Sequence, residues 1–376
     1  DEDGYIYFKP RIKRVVKVSM LDTPLFVFFV FLILGGFISL DVATSIPRML
    51  VYTLFFVSYF LVKTLICSEN LIRRCIVCLF CSLSIVSVLG IITTFTHVNV
   101  AAWVDSTTFE TIGSRAIASF DNPNVLGSFL ALVIPFAIAF SANSQSRSQH
   151  VITWLATSIS AICLVLTWSR GAWLGFAISL FFMFLLISHK ALVAYIIALP
   201  LASVFFYIGA NPIFARFNLS DTSTKYRINI WRGVWRNGID NLWTGNGIGE
   251  NVFSLSYIKN ALSGAEVAYH SHSLYFQIIL ELGLIAFFVF VVFIFMFAQR
   301  HLSYLISAQN KSIRWYSAAM LAGVIGFLIQ GVGDYTFYNY RMFLIFWLFI
   351  GLSVALVRLQ RNKEQDEAQI LLKFQY

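Results

Sequence analysis

The chain has 376 residues, 59% of them hydrophobic and 12% charged, with a mean hydropathy of +0.77 and a formal net charge of +9. A soluble domain carries about 25% charged residues, so this composition excludes an ordinary water-soluble enzyme and points to one integral membrane domain, residues 1–376. In such a chain the basic excess reads as cytoplasmic loops and contact with anionic membrane lipids; no nucleic-acid motif accompanies it.

Ten apolar runs are long enough to cross a hydrocarbon layer of about 30 Å. They lie at 24–40, 47–66, 75–95, 125–141, 151–168, 172–188, 191–209, 274–298, 316–333 and 341–357. Barrel strands would alternate in polarity; these runs do not, so the fold class is an all-α membrane protein of about ten transmembrane helices. The chain begins at Asp1, with no Met and no cleavable signal pattern, so upstream sequence is expected. Cys75, Cys78 and Cys81 lie at or in an apolar run without a neighbouring His or carboxylate, and with Cys67 and Cys163 they suggest neither a metal site nor a disulfide framework.

Charge sets the orientation. Lys9, Arg11, Lys13, Arg14 and Lys17 precede the first run, and Arg358, Arg361 and Lys363 follow the last. Short basic flanks stay in the cytoplasm, so both termini are predicted there. Arg73, Arg74, Arg147, Lys190, Arg300, Lys311 and Arg314 then fall on the same side. Four outer regions are of interest: 96–124, the turn at 168–171, the long loop 210–273, and 334–340. A connection as long as 210–273 usually carries function, and its Trp, Arg and Gly content predicts a folded helical loop.

Outer charges run against the positive-inside trend and are therefore informative. Arg170, in TWSRGAWLGF, is either an interfacial Arg reaching head groups or an anion ligand at the mouth of the bundle. The long loop holds Arg216, Lys225, Arg227, Arg232, Arg236 and Lys259. Its stretch YRINIWRGVWRNG predicts an amphipathic helix with Ile230, Trp231, Val234 and Trp235 on one face. Arg232 and Arg236 point away from that face, whereas Arg227 falls on it, where an Arg needs a carboxylate or phosphate partner. Gly245, Gly247 and Gly249 predict a tight turn. No strand precedes them, which excludes a dinucleotide fingerprint.

The loop ends in AYHSHSLYFQIILELG. Ser271 or Ser273 is placed to cap the next helix. His270 and His272 make a poor metal pair at i, i+2, and one of them as general base is the better reading. Glu281, two turns into the span, is a pairing or functional candidate, an Arg being a plausible partner. Asp334 and Arg341 share the outer side and are expected to pair with each other.

Four segments carry a resemblance. DNPNVLGSFLALVIPFAIAF, TWSRGAWLGF, KYRINIWRGVWRNGIDNLWTGNGIG and HSHSLYFQIILELG, in this order around a long outer loop, resemble the O-antigen ligase and O-antigen polymerase superfamily. The likeness covers most of the chain. It implies a GT-C-like, multi-span glycosyltransferase of about twelve spans, of which two N-terminal ones are missing here. It also implies a donor glycan on undecaprenyl pyrophosphate, an acceptor that is a glycan, lipid or other hydroxyl compound, and inversion at the sugar carbon without metal or cofactor. Arginines matching Arg170 and Arg227 are implied to hold the pyrophosphate, and a histidine matching His272 to act on the acceptor hydroxyl, with His270 in reserve. The site then faces outward from a bacterial cytoplasmic membrane. The His-x-His-Ser and Ser-Arg-Gly elements lean toward a ligase of the lipopolysaccharide type. A polymerase of O-antigen or wall polysaccharide, a polysaccharide transporter or flippase, and a scaffold subunit stay open. Charges gathered at the outer mouth, rather than near the bilayer midplane, favour an enzyme over a transporter.

Overall fold

The computed structural model describes residues 19–96, 115–209, 222–238 and 241–373. The basic residues Lys9 to Lys17, and Arg216, lie outside them. The described residues are helical, without a strand: α1 Asp22–Phe37, α2 Val42–Leu65, α3 Glu69–Phe95, α4 Pro123–Ala142, α5 Arg147–Leu166, α6 Arg170–Ile187, α7 His189–Gly209, α8 Thr222–Gly238, α9 Glu250–Tyr257, α10 Leu274–Ser307, α11 Lys311–Gly333 and α12 Tyr340–Lys373. Two 3-10 turns, Ala118–Phe120 and Ile258–Asn260, complete the order.

Local chemistry sets where these helices start. The side chains of Asp41, Ser68, Asn122, Ser146 and Asn310 accept hydrogen bonds from first-turn N–H groups of α2, α3, α4, α5 and α11, which would otherwise lack partners. Pro123 opens α4, where its missing N–H costs nothing. Among the described residues eight helices are long and apolar enough to cross a membrane; α1, with 16 residues, and the stretch His189–Pro200 of α7 are shorter. The protein is a multi-span membrane protein.

Several helices outrun their apolar cores. α10 and α12 continue past the expected ends at 298 and 357, because basic side chains there find partners between helices. The Arg358 guanidinium donates to the Ile66 carbonyl (2.6 Å), Arg361 to the Arg300 carbonyl (3.3 Å), and Lys363 pairs with Glu69 (2.7 Å).

α4, α11 and α12 form the buried centre, with α6 and α4 packed on α11, α2 on α12, and α1 on α10. Small residues allow this closeness. A Cβ at Gly175 of α6 would collide with the Gly326 carbonyl of α11, and one at Gly323 with the Leu132 carbonyl of α4. Without a hydrophobic drive between helices in lipid, such backbone contact is a main source of association.

α10 is broken within its first three turns. Gly283 has φ +88° and ψ 169°, far from helical values. The freed backbone groups pair with the glycine-rich segment before α9. Asn246 N–H donates to the Leu280 carbonyl (2.7 Å), Gly247 N–H to the Glu281 carbonyl (3.1 Å), and Leu284 N–H to the Leu242 carbonyl (2.8 Å). The Asn246 carbonyl in turn accepts from Leu40 N–H (3.0 Å). The expected tight turn at Gly245, Gly247 and Gly249 is thus a backbone clamp on a broken helix.

Gly283 allows a direct test. The left-handed backbone alone costs a non-glycine residue about 1–3 kcal/mol, and a Cβ here would also collide with the Trp243 carbonyl. Gly283→Ala is expected to lower the thermal unfolding midpoint in detergent by several degrees. Gly333→Ala, with nothing within 4 Å of its added Cβ, is expected to leave it unchanged. Equal midpoints for the two variants would show that the clamp does not hold the fold.

Candidate active site

The outer helix α8 lies along one side of the site. Its residues Ile230 and Val234 pack with Phe253, Tyr257, Ala265, Ala268 and Leu280. A Cβ at Gly233 would press on Tyr257 and the Asn260 carbonyl, so the packed face centres on 230, 233 and 234. Trp231 is half-buried, and its indole N–H donates to the Ser271 carbonyl (3.0 Å). Trp235 departs from the expected face: it is 67% exposed, because the packed stripe is rotated away from it. Arg232 and Arg236 are exposed, as their positions predict.

The segment Tyr269–Ser273 is held between α8 and the start of α10. Tyr226 donates to the Val267 carbonyl (2.7 Å), and Ser271 N–H to Gln277 Oε1 (2.8 Å). Gln277 Nε2 donates to Glu281 Oε1 (3.1 Å), which also lies 3.3 Å from Gly249 N–H. A buried chain of hydrogen bonds therefore ties the histidine segment to the glycine-rich clamp. Ser273 occupies the N-cap position of α10, but its hydroxyl makes no capping bond; Ser271 Oγ instead donates to the Ser273 carbonyl (2.8 Å).

His272 has φ +50°, a left-handed conformation that is uncommon for a side-chain-bearing residue. Its Nδ1 lies 3.6 Å from Asp334 Oδ1, beyond a direct hydrogen bond, and is buried without a closer partner. The His272 side chain still keeps 24% of its surface exposed, against 9% for Asp334, so the ring has an open edge. Tyr226 approaches the ring edge-on (5.8 Å between centroids). His270 also lies against it, 4.2 Å away by centroids, and stacks in turn on Tyr338 (4.9 Å, 12°).

The sequence-derived candidates separate clearly. His272, His270 and Asp334 come together, within electrostatic reach of Arg227. Arg227 thus acts on two histidines and a carboxylate, although it forms no direct ion pair among the described residues. Arg170, at the first position of α6, donates to Thr224 Oγ1 (3.4 Å), one turn before Arg227 on α8. Glu281 connects through Gln277 and is within electrostatic reach of Arg48. The expected Asp334–Arg341 pair does not form. Arg341, in the first turn of α12, turns to Asp121 (2.8 Å) and the Ser119 carbonyl, while Asp334 accepts from Tyr335 N–H (2.9 Å) and faces His272. Two side chains that the sequence did not single out complete the surroundings: Gln277, and Arg48 near the start of α2. Arg48 sits at the same end of the bundle as Arg170, so the argument for a lone outer Arg applied to it equally.

Burial holds the His272 imidazole below the usual histidine range; Asp334 pulls it upward and Arg227 pushes it down. Burial, His272 and Arg227 hold His270 well below that range against the pull of Asp334. Burial works against the Asp334 anion, but His272, Arg227 and His270 outweigh it and keep the carboxyl below the usual carboxylate range. The site therefore offers a neutral imidazole beside a fixed carboxylate and a fixed guanidinium. Among the described residues no three His, Cys, Asp or Glu side chains gather as a metal-ligand set.

Residues 155–291 match the family described as O-antigen ligase. That match supports the O-antigen ligase and polymerase superfamily. No curated protein matches it. The matched segment runs from α5 into α10 and takes in Arg170, Arg227, His270, His272 and Glu281; Arg48, Asp334 and Arg341 lie outside it. For this multi-span membrane protein, the histidine titration checks the electrostatics without any turnover. Modification of His272 by diethyl pyrocarbonate, followed by mass spectrometry against pH, should show a midpoint below about 6.5. Asp334→Asn removes an influence that raises the value and should move the midpoint lower; Arg227→Ala removes one that lowers it and should move it higher. Midpoints that stay put in both variants count against the network.

Proposed function

We propose that this chain transfers a glycan from undecaprenyl pyrophosphate to an acceptor hydroxyl at the extracytoplasmic face of a bacterial cytoplasmic membrane, as an O-antigen ligase. The observation that carries the reading is the grouping of a neutral His272 with Asp334 and Arg227 at one end of the bundle, beside the turn that holds Arg170. Basic residues of the loops at the other end, and at both chain ends, support a cytoplasmic position for both termini.

The chemistry follows from the groups. The acceptor hydroxyl gives its proton to His272 as its oxygen attacks the anomeric carbon of the donor. The bond from that carbon to the pyrophosphate oxygen breaks, and the lipid pyrophosphate leaves with the electron pair. Arg170 and Arg227 stabilise the charge that grows on it, with greater effect at a partly desolvated mouth than in water. Asp334, facing Nδ1, favours the imidazolium that forms and leaves Nε2 to the acceptor. The cations that neutralise the leaving group are then side chains, which supports metal-independent transfer. An ionisable cluster at a helix mouth, rather than near the bilayer midplane, supports an enzyme over a flippase.

The test is transfer in proteoliposomes from an undecaprenyl-pyrophosphate-linked repeat unit, with EDTA present. Wild type should consume donor. His272→Ala should slow transfer about 10²–10⁴-fold, and Arg227→Ala about 10²–10³-fold, at unchanged folding. A conjugate with an added acceptor identifies a ligase, and a lengthening lipid-linked ladder a polymerase of the same superfamily. Wild-type rates in His272→Ala would remove the proposed base, and loss of transfer in EDTA with recovery in Mg²⁺ would overturn metal independence.

A further inference from the structure

Joined to the histidines through Tyr338 is a second group of polar and aromatic side chains. Arg48 approaches Glu250 (3.5 Å), and its guanidinium carbon lies 5.6 Å from the centre of the Tyr340 ring. Three elements distant in the chain supply these residues: α2, the start of α9 after the glycine-rich clamp, and the start of α12. The group is open to solvent. The Glu250 side chain is 39% exposed, Tyr340 38% and the Arg48 side chain 18%. A Cβ at Gly249 would meet only Arg48 Cδ, at 3.8 Å, so the clamp leaves space beside the guanidinium.

This group connects to the candidate base through aromatic rings. His272 touches His270, His270 stacks on Tyr338, and Tyr338 lies within electrostatic reach of both Asp334 and Glu250. A chain of contacts therefore leads from Tyr226 and His272 through His270 and Tyr338 toward Glu250, which pairs with Arg48 beside Tyr340.

The chemistry of the group suits a sugar ring. Aromatic faces cover the apolar C–H surface of a pyranose, and a guanidinium and a carboxylate supply planar donors and acceptors to neighbouring hydroxyls. Binding sites commonly pair apolar walls with a few fixed polar groups in this way. The Arg48–Glu250 contact is loose, so a hydroxyl can insert or exchange without leaving either charge bare.

We infer that Arg48, Glu250, Tyr338 and Tyr340 form the subsite for the acceptor's terminal sugar. This rests on the transferase reading above, in which the pyrophosphate lies on the Arg170 and Arg227 side of His272. Displacement with inversion brings the acceptor oxygen in opposite the leaving oxygen, and the Arg48 group is reached from His272 through His270 and Tyr338 rather than through Arg227. Arg48 and Tyr340 are then residues that select the acceptor and leave donor binding alone.

Binding measurements separate this inference from the reaction itself. Purified protein in detergent is titrated with two delipidated probes, a lipopolysaccharide core oligosaccharide and the free repeat-unit oligosaccharide, and separately with the lipid-linked repeat-unit donor. Wild type should bind at least one oligosaccharide. Arg48→Gln and Tyr340→Leu should weaken that binding about tenfold, equivalent to about 1.4 kcal/mol, with donor binding unchanged. Glu250→Gln, a milder change at an exposed side chain, should weaken it by a smaller factor and guards against misfolding of the other two. The inference is overturned if neither oligosaccharide binds wild type, if all three folded variants bind as wild type does, or if donor binding falls instead. None of these outcomes depends on turnover, so an inactive wild type would sink the transferase reading while the Arg48-dependent oligosaccharide binding is still read.

Discussion

A helix that breaks inside a membrane protein must give its freed peptide groups new partners, because lipid supplies none. Here the break at Gly283 frees the Leu280 and Glu281 carbonyls and the Leu284 N–H, and the segment 242–247 takes all three. Only residues without a Cβ allow the two backbones to come so close. A side chain at Gly245 would press on the Glu281 carbonyl, and one at Gly283 on the Trp243 carbonyl. The same clamp places Gly249 N–H on Glu281, and Glu281 on Gln277, whose amide oxygen holds Ser271 N–H. His272 is next in the chain. Its position is therefore set from below by the broken helix and from above by α8, through Trp231 and Tyr226.

Within that frame the electrostatics oppose each other at one ring. Asp334 favours the charged imidazole; burial and Arg227 favour the neutral one, and they prevail. The distance of 3.6 Å between Nδ1 and Asp334 matters to this outcome. A short, well-formed ion pair would hold His272 protonated and useless as a base, whereas a carboxylate slightly withdrawn orients the ring and still waits for the proton. The left-handed backbone of His272 is local strain at the point where a side chain is aimed, a placement that packed surroundings must maintain.

Much of the architecture was legible because bilayer thickness imposes one length on apolar runs. The break in α10 was not, since the demand for positive φ at Gly283 comes from Trp243, forty residues earlier in the chain, and ELGLIAFF by itself reads as unbroken helix. Arg170, Arg227 and His272 stood out as isolated charge or imidazole against apolar or aromatic neighbours. Arg48 was passed over because PRMLVY reads as the start of a span, with no motif around it. Asp334 and Arg341 were matched by proximity in sequence. Seven residues of turn and helix start carry Arg341 toward Asp121 instead and leave Asp334 to His272. Trp235 was assigned to the packed face from angle alone; Gly233, whose lack of a side chain lets Tyr257 approach, centres that face on 230, 233 and 234 and leaves Trp235 outside it.

On the proposed reading, the position of Arg227 also orders the reaction. With no donor bound, its charge bears fully on His272 and depresses the basicity of the imidazole. A pyrophosphate carries at least two negative charges, and at the guanidinium it offsets that field and adds an attraction of its own for the imidazolium. The base therefore strengthens when the donor arrives and weakens when the lipid pyrophosphate departs. A hydroxyl that reaches His272 in the absence of donor meets a poor proton acceptor, and one that reaches it afterwards meets a better one, beside an anomeric carbon ready to receive the oxygen. The group that stabilises the leaving charge thus also controls when the nucleophile is activated, and both effects come from one guanidinium held on the inner face of α8.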